Sequence, residues 1–206
     1  MKLFANIVSI VFHPLLMVTY GMLLALGFTY LGVYPLSLKL YLVGGVFLST
    51  VVIPGIIITL MIKSGAADDM ELTDRRERLI PYLLFIASNM VCFCYLFKMQ
   101  LPFWILSMFM GVCVALFAAL CINFVWKISI HALGIGGLFG AIMGIARMQM
   151  LNPYWLFIIV LIVAGLVGTA RIILNKHTPM QVYAGFLLGL ACTFGISLTS
   201  FIYLLI

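Results

Sequence analysis

Charge is what this chain has least of. Only 8% of its 206 residues are charged, 11 Lys or Arg against 5 Asp or Glu, whereas 66% are hydrophobic. Soluble domains carry about a quarter charged residues, so the scarcity excludes a soluble globular domain. With a mean hydropathy of +1.31, the solvent for most of the chain is lipid. There is no basic tract, which excludes a nucleic-acid partner; the net charge of +6 suits anionic headgroups or phosphates. No long linker sets off a second domain, so residues 1–206 read as a single integral membrane domain. Cys92, Cys94, Cys113, Cys121 and Cys192 all fall inside apolar runs. Cys92 and Cys94 would point to different sides of a helix, so the five read as reduced packing residues with no metal or redox role. The amino-terminal stretch starts like a signal peptide. Its apolar run is too long for one and lacks a cleavage site, so it is expected to be a retained first span.

What the sequence does have is long apolar runs, at about 7–31, 40–62, 79–97, 103–125, 132–147, 154–174 and 179–205. A hydrocarbon core about 30 Å thick takes roughly 20 apolar residues per helix. The expected fold is therefore all-α, a polytopic membrane helix bundle of about seven transmembrane helices. Pro35, Pro102, Pro153 and Pro179 punctuate the connections, and Trp104, Trp126 and Trp155 fall at helix ends, where aromatic belts form. Gly136, Gly140 and Gly144, then Gly185 and Gly189, recur at spacing four, a pattern that lets helix backbones approach closely in lipid. Two crossings return a chain to the side it left. The amino terminus and residues 63–78, 126–131 and 171–178 are thus expected on one face, and the short turns at 32–39, 98–102 and 147–153 on the other. Residues 1–62 make two leading spans; residues 63–206 carry the polar motifs.

Three polar islands lie on that first face. "KSGAADDMELTDRRERLIPY", residues 63–82, holds Arg75, Arg76 and Arg78, whose guanidinium forks suit phosphate oxygens. From a helix only one or two could face one ligand, and Arg78 lies nearest the apolar span. The plain alternative is a solvated loop that caps a helix. "WKISIHALGIGG", 126–137, sets Lys127, Ser129 and His131 at the start of a glycine-rich helix, whose N-terminus favours an anion. "ARIILNKHTPMQ", 170–181, ends one span with Arg171 and opens the next after His177. Thr178, Pro179, Met180 and Gln181 read as N-cap, N1, N2 and N3, with Gln181 completing a capping box. Together the islands bring two histidines, several arginines, a lysine and a serine to one side of a bundle, with no cysteine ligand and no serine-hydrolase elbow. Such a set suits phosphoryl transfer: cations hold the oxygens, one imidazole attacks and another supplies a proton.

These residues resemble the motifs of the type 2 phosphatidic acid phosphatase superfamily, Lys-x6-Arg-Pro, Pro-Ser-Gly-His and Ser-Arg-x5-His-x3-Asp. The third island keeps Arg171, the five-residue gap and His177, with Ala170 in the place of the serine and Gln181 in that of the aspartate. "ISIH" keeps Ser129 and His131, with Ile128 and Ile130 replacing proline and glycine. "DRRERLIP" is similar to the first motif in being basic and ending near a proline, without its Lys-to-Arg spacing. The resemblance implies a six-helix core and a metal-independent phosphatase with no cofactor. His177 would be the nucleophile that forms a phosphohistidine, and His131 would protonate the departing alkoxide or phosphate. Arg171, Arg78 or Arg75, and Lys127 would hold the phosphoryl oxygens, and Ser129 would donate a further hydrogen bond. Gln181 stands where the family's aspartate orients the nucleophilic histidine; its carbonyl accepts an imidazole N–H but brings no charge. A comparable acid-to-amide change in the Ser-His-Asp template costs about 10⁴ in rate, and Asp68, Asp69 or Asp74 would be the local substitutes. The implied substrate is a phosphorylated lipid: phosphatidate, phosphatidylglycerophosphate, an isoprenyl diphosphate or lipid A.

Two other readings remain open. "DDMELTD" compares with the aspartate-rich magnesium-diphosphate motifs of membrane prenyltransferases, which use two such motifs where this chain has one. The protein could also be a degenerate relative that binds or moves a phosphorylated lipid without turnover. The excess of Lys and Arg on the motif-bearing face points to the cytoplasm by the positive-inside rule. The family resemblance implies a site on the extracytoplasmic face of the cell membrane, which is the expectation adopted.

Overall fold

A chain immersed in hydrocarbon has no water to bond its backbone N–H and C=O groups, so each segment must satisfy them internally, as helices do. The computed structural model describes residues 1–64 and 79–205, with side chains to residue 200, and every element among them is helical. The helices are α1 (Lys2–Val11), α2 (Pro14–Phe28), α3 (Leu36–Phe47), α4 (Ile53–Lys63), α5 (Leu79–Lys98), α6 (Phe103–Asn123), α7 (Ile130–Met148), α8 (Tyr154–Ile173) and α9 (Pro179–Leu205). A single 3-10 turn, Tyr30–Val33, follows α2, and a π turn, Leu48–Val52, joins α3 to α4. Six of the described helices are long and apolar enough to cross a bilayer, with α3 and α4 counted as one; the pair α1 and α2 makes a seventh if it is one bent span. The all-α membrane bundle expected from the apolar runs is what the chain forms.

The first span departs from expectation. In place of one helix over 7–31, α1 and α2 meet at a 54° bend. Pro14 is the cause. It has no N–H to give the preceding turn, and its ring drives the residue before it out of the helical region; His13 is extended, at φ −65° and ψ 139°. His13 then caps the new helix, its Nδ1 accepting the Leu15 N–H at 3.4 Å. The second span starts earlier than expected, at Leu36, and carries the π turn. There the Ser49 and Thr50 hydroxyls bond back to the carbonyls of Gly45 and Val46, a habit of Ser and Thr that bends helices. Trp126 and Trp155 are exposed at helix ends, as a belt requires, but Trp104 is buried. Its indole N–H donates to Tyr30 Oη at 3.1 Å and closes the end of the bundle away from the polar islands. All five cysteines are free thiols.

The glycines at spacing four form the seam that sets the rest. α7 is the most buried span, and α9 runs parallel to it. A Cβ on Gly136 would lie 2.1 Å from the Phe186 carbonyl oxygen, and one on Gly189 would lie 2.1 Å from that of Leu133. Gly140 against Leu190 and Gly185 against Ser129 are nearly as close. Only a residue without a side chain permits this approach, and it brings the amino-terminal ends of α7 and α9 side by side. α8, antiparallel to both, ends on the same face, with α1 packed against it and α2 against α7.

The seam yields a paired prediction. Gly189→Val should cost about 2 kcal/mol or more through overpacking, read as a lower melting temperature in detergent. Gly165→Ala, where nothing lies within 4 Å of the new methyl, should leave stability unchanged to within about 1 kcal/mol.

Candidate functional site

Two helix starts and one helix end build the site. Ser129 is the N-cap of α7: its Oγ accepts the Ala132 N–H at 3.3 Å. Its own N–H donates to the Gln181 carbonyl at 3.3 Å, so the turn before α7 is tied to the first turn of α9. His131 follows as the second residue of α7. The chain leaves α8 through a tight turn in which Asn175 takes a left-handed φ of 54° and the Lys176 N–H returns to the Arg171 carbonyl at 3.1 Å. Asn tolerates that conformation better than other side-chain-bearing residues. The turn leads to His177 just before α9. Arg171 is 2% exposed, and His131 and His177 are 7% exposed each. Arg171 and His177 are both electrostatic neighbours of His131. The second and third islands therefore share one site.

Gln181 has two partners, and they decide its orientation. Its Oε1 lies 3.2 Å from the Thr178 N–H and 3.0 Å from His177 Nδ1. A backbone N–H can only donate, so the amide oxygen must be the atom placed there. His177 Nδ1 then donates its proton to that oxygen, and Nε2 keeps its lone pair. The Gln181 half of the capping box read from Thr178 and Gln181 is thus present, and the same oxygen also fixes the tautomer of His177. An amide in the aspartate's place does not impose the wrong tautomer here; what it lacks is charge.

Two contributors went unread in the sequence. His13 packs edge to face with His131, ring centroids 5.2 Å apart and planes at 80°. Ser9, in the last turns of α1, accepts from Arg171 Nη1 at 3.3 Å through its hydroxyl, and its backbone is hydrogen-bonded to the His131 ring. The chain has three histidines, and all three meet here. The leading spans are thus part of the site. The signal was present: a histidine directly before a proline, in the middle of an apolar run, marks a break that exposes polar groups at membrane depth.

Ser129 is fully buried; with its oxygen engaged as a cap, its O–H remains able to donate. Lys127 is half-buried in the turn before α7 and has an interaction of its own. Arg75 and Arg78 lie outside the described residues, as do Arg76 and every carboxylate in the chain, Asp68, Asp69, Glu71, Asp74 and Glu77. Among the described residues no group of three or more His, Cys, Asp or Glu is arranged to hold a metal ion.

Beside the site an apolar cavity of about 90 Å³ enters the bundle. Pro14, Leu15 and Ile130, next in sequence to His13 and His131, line its near end, and Ala25, Ile105 and Ala141 line its depth. Along α2 the lining runs from Pro14 to Ala25, a helical rise of about 16 Å. A buried guanidinium, two imidazoles and two adjoining helix starts form a cationic cluster, and the cavity approaches it only at Pro14 and Ile130, without being lined by Arg171, His131 or His177. No family model matches the chain, and neither does any curated protein or any solved structure.

Proposed function

We propose that the protein is a membrane lipid-phosphate phosphatase, hydrolysing a phosphomonoester or diphosphate of a lipid through a phosphohistidine. One observation carries the reading: Arg171, buried at the end of α8, stands with imidazoles from two other segments. The cationic cluster suits the phosphoryl group, and the surrounding bilayer suits the hydrocarbon of the same molecule.

The chemistry follows from the hydrogen bonds. His177 Nε2, its lone pair kept available by the Gln181 contact at Nδ1, attacks phosphorus. The ester P–O bond breaks as the P–N bond forms, and His131 gives its proton to the departing oxygen. Water then attacks the phosphohistidine and returns a proton to His131, releasing phosphate. Arg171 offsets the charge on the phosphoryl oxygens throughout, with Ser129, Lys127 and an arginine of the 75–78 segment as further donors. The resemblance of Arg171, His177, Ser129 and His131 to the type 2 phosphatidic acid phosphatase motifs supports the same assignment. It also supports a site facing out of the cytoplasm.

Gln181 favours a second reading, a lipid-phosphate binder without turnover, because the imidazolium formed in attack has no carboxylate among the described residues to stabilise it.

Purified protein should release phosphate from at least one of phosphatidate, phosphatidylglycerophosphate and undecaprenyl diphosphate, in the presence of EDTA. His177→Ala and His131→Ala should lower release at least about a hundredfold. Hexadecyl phosphate should exceed butyl phosphate in kcat/KM by at least about tenfold, since each buried methylene contributes about 0.8 kcal/mol. Equal release by wild type and His177→Ala would end the proposal.

Gln181→Glu separates the two readings. It keeps the capping geometry, adds the missing charge and should raise kcat about tenfold or more. Binding of lipid phosphate by both proteins with no turnover from either would favour the binder.

A further inference from the structure

A helix end leaves carbonyls that its own ladder does not use, and at the end of α1 the partner of each can be followed. The Val8 carbonyl receives the Phe12 N–H at 2.9 Å, and the Ile10 carbonyl receives the His13 N–H at 3.3 Å. The Val11 carbonyl receives the Tyr20 hydroxyl at 2.8 Å. That leaves Ser9. In an unbroken helix its carbonyl would take the N–H of His13, which the break turns to Ile10 instead. The Ser9 N–H belongs to the α1 ladder, so the backbone group that meets the His131 ring is this freed carbonyl, and the ring donates to it. The side chain also departs from habit. The hydroxyls of Ser49 and Ser197 bond back to carbonyls of their own helix, as is usual for serine. The Ser9 oxygen receives Arg171 Nη1 from α8 at 3.3 Å, 162 positions along the chain. One residue, 4% exposed, thus meets both the guanidinium and an imidazole of the cluster.

Resting on the phosphatase reading, we propose that Ser9 is a positioning residue of the site: its hydroxyl places Arg171 for the phosphoryl oxygens, and its carbonyl holds the His131 ring in one tautomer. An imidazole that gives one N–H to a fixed acceptor is oriented by it, and its other nitrogen is left to face the reacting oxygen. His177 is held in the same manner by Gln181 Oε1. Each imidazole of the reaction is then oriented by a neutral oxygen, one from an amide side chain and one from a broken helix. The carbonyl also lies at the C-terminal end of α1, where the aligned peptide dipoles place partial negative charge beside a buried guanidinium. Ser9 touches neither phosphorus nor the departing oxygen; it acts through Arg171 and His131. The break at Pro14 is what frees its carbonyl, so the bend in the first span belongs to the site.

Ser9→Ala removes the hydroxyl and keeps the carbonyl, and Ser9→Thr puts a hydroxyl back. With a lipid phosphate as substrate, Ser9→Ala should lower kcat/KM about tenfold or more, and Ser9→Thr should stay within about threefold of wild type. Binding of hexadecyl phosphate should weaken about fivefold in Ser9→Ala and recover in Ser9→Thr. The carbonyl is read in the wild type. With the Ser9 carbonyl carbon and the histidine ring nitrogens labelled, solid-state NMR in bilayers should place that carbon about 4 Å from one His131 nitrogen. The ring should show a single tautomer. In Pro14→Ala residue 14 regains its N–H and the carbonyl can rejoin the ladder. The contact and the single tautomer should then be lost, and kcat should fall about tenfold or more with KM within about twofold. If Pro14→Ala does not fold, the wild-type separation decides alone. A Ser9→Ala variant with wild-type kcat/KM and affinity, or a folded Ser9→Thr variant as impaired as it, overturns the role of the hydroxyl. A separation too long for a hydrogen bond, or mixed tautomers in the wild type, overturns that of the carbonyl. A wild type that neither turns over nor binds any lipid phosphate counts against the phosphatase reading, and the separation and tautomer still judge the hold on His131.

Discussion

The burial of Arg171 is the constraint on which the arrangement turns. A guanidinium stays ionised under all ordinary conditions, and sinking one at the end of a membrane helix is costly unless polar groups or an anion meet it. The Ser9 hydroxyl from α1 answers part of this need, and the Arg171 carbonyl is tied to the Lys176 N–H of the turn that follows. An arginine that merely reached for the interface would extend outward. At 2% exposure this one does not; it is held inside the bundle.

What holds the pocket in register is a backbone seam. Over its first turns α7 meets α9 mainly through glycine and carbonyl, with only the small side chains of Ala132, Thr193 and Ser197 in the seam. The hydrogen bond from the Ser129 N–H to the Gln181 carbonyl crosses from one helix start to the other at the head of that seam. His131 and the first turn of α9 are therefore held close to each other by this seam. Rigid supports of this kind suit a reaction that depends on placing groups around a transferring phosphoryl.

Much of this was legible in the residues. The apolar run lengths predicted the spans, the spacing-four glycines predicted a close helix pair, and Thr178 with Gln181 predicted the Gln181 half of the capping box, because each rests on local backbone geometry. Counting crossings was enough to bring residues 126–131 and 171–178 together. The bend at His13 was missed because hydropathy averaged over a window passes through one proline, although the steric effect of Pro14 on its predecessor is as local as any cap. Trp104 was misplaced because position at a helix end does not say which way an indole points; its partner Tyr30 is 74 positions away. The π turn at 48–52 has no periodic signature at all. Arginines 75 and 78 rest on guanidinium chemistry and, for Arg78, nearness to the apolar span, and both lie outside the described residues.

Gln181 shows how one substitution divides two properties usually supplied together. A carboxylate beside a nucleophilic imidazole both orients it and stabilises its charge. Here the Thr178 N–H turns the amide oxygen toward His177, so orientation is retained while the charge is given up. The most direct test of the account is to trap the covalent state. After a rapid alkaline quench of protein mixed with a lipid phosphate labelled at phosphorus, base-stable label should lie on His177 and be missing from His177→Ala. Label on another residue, or label that persists in that variant, would contradict it.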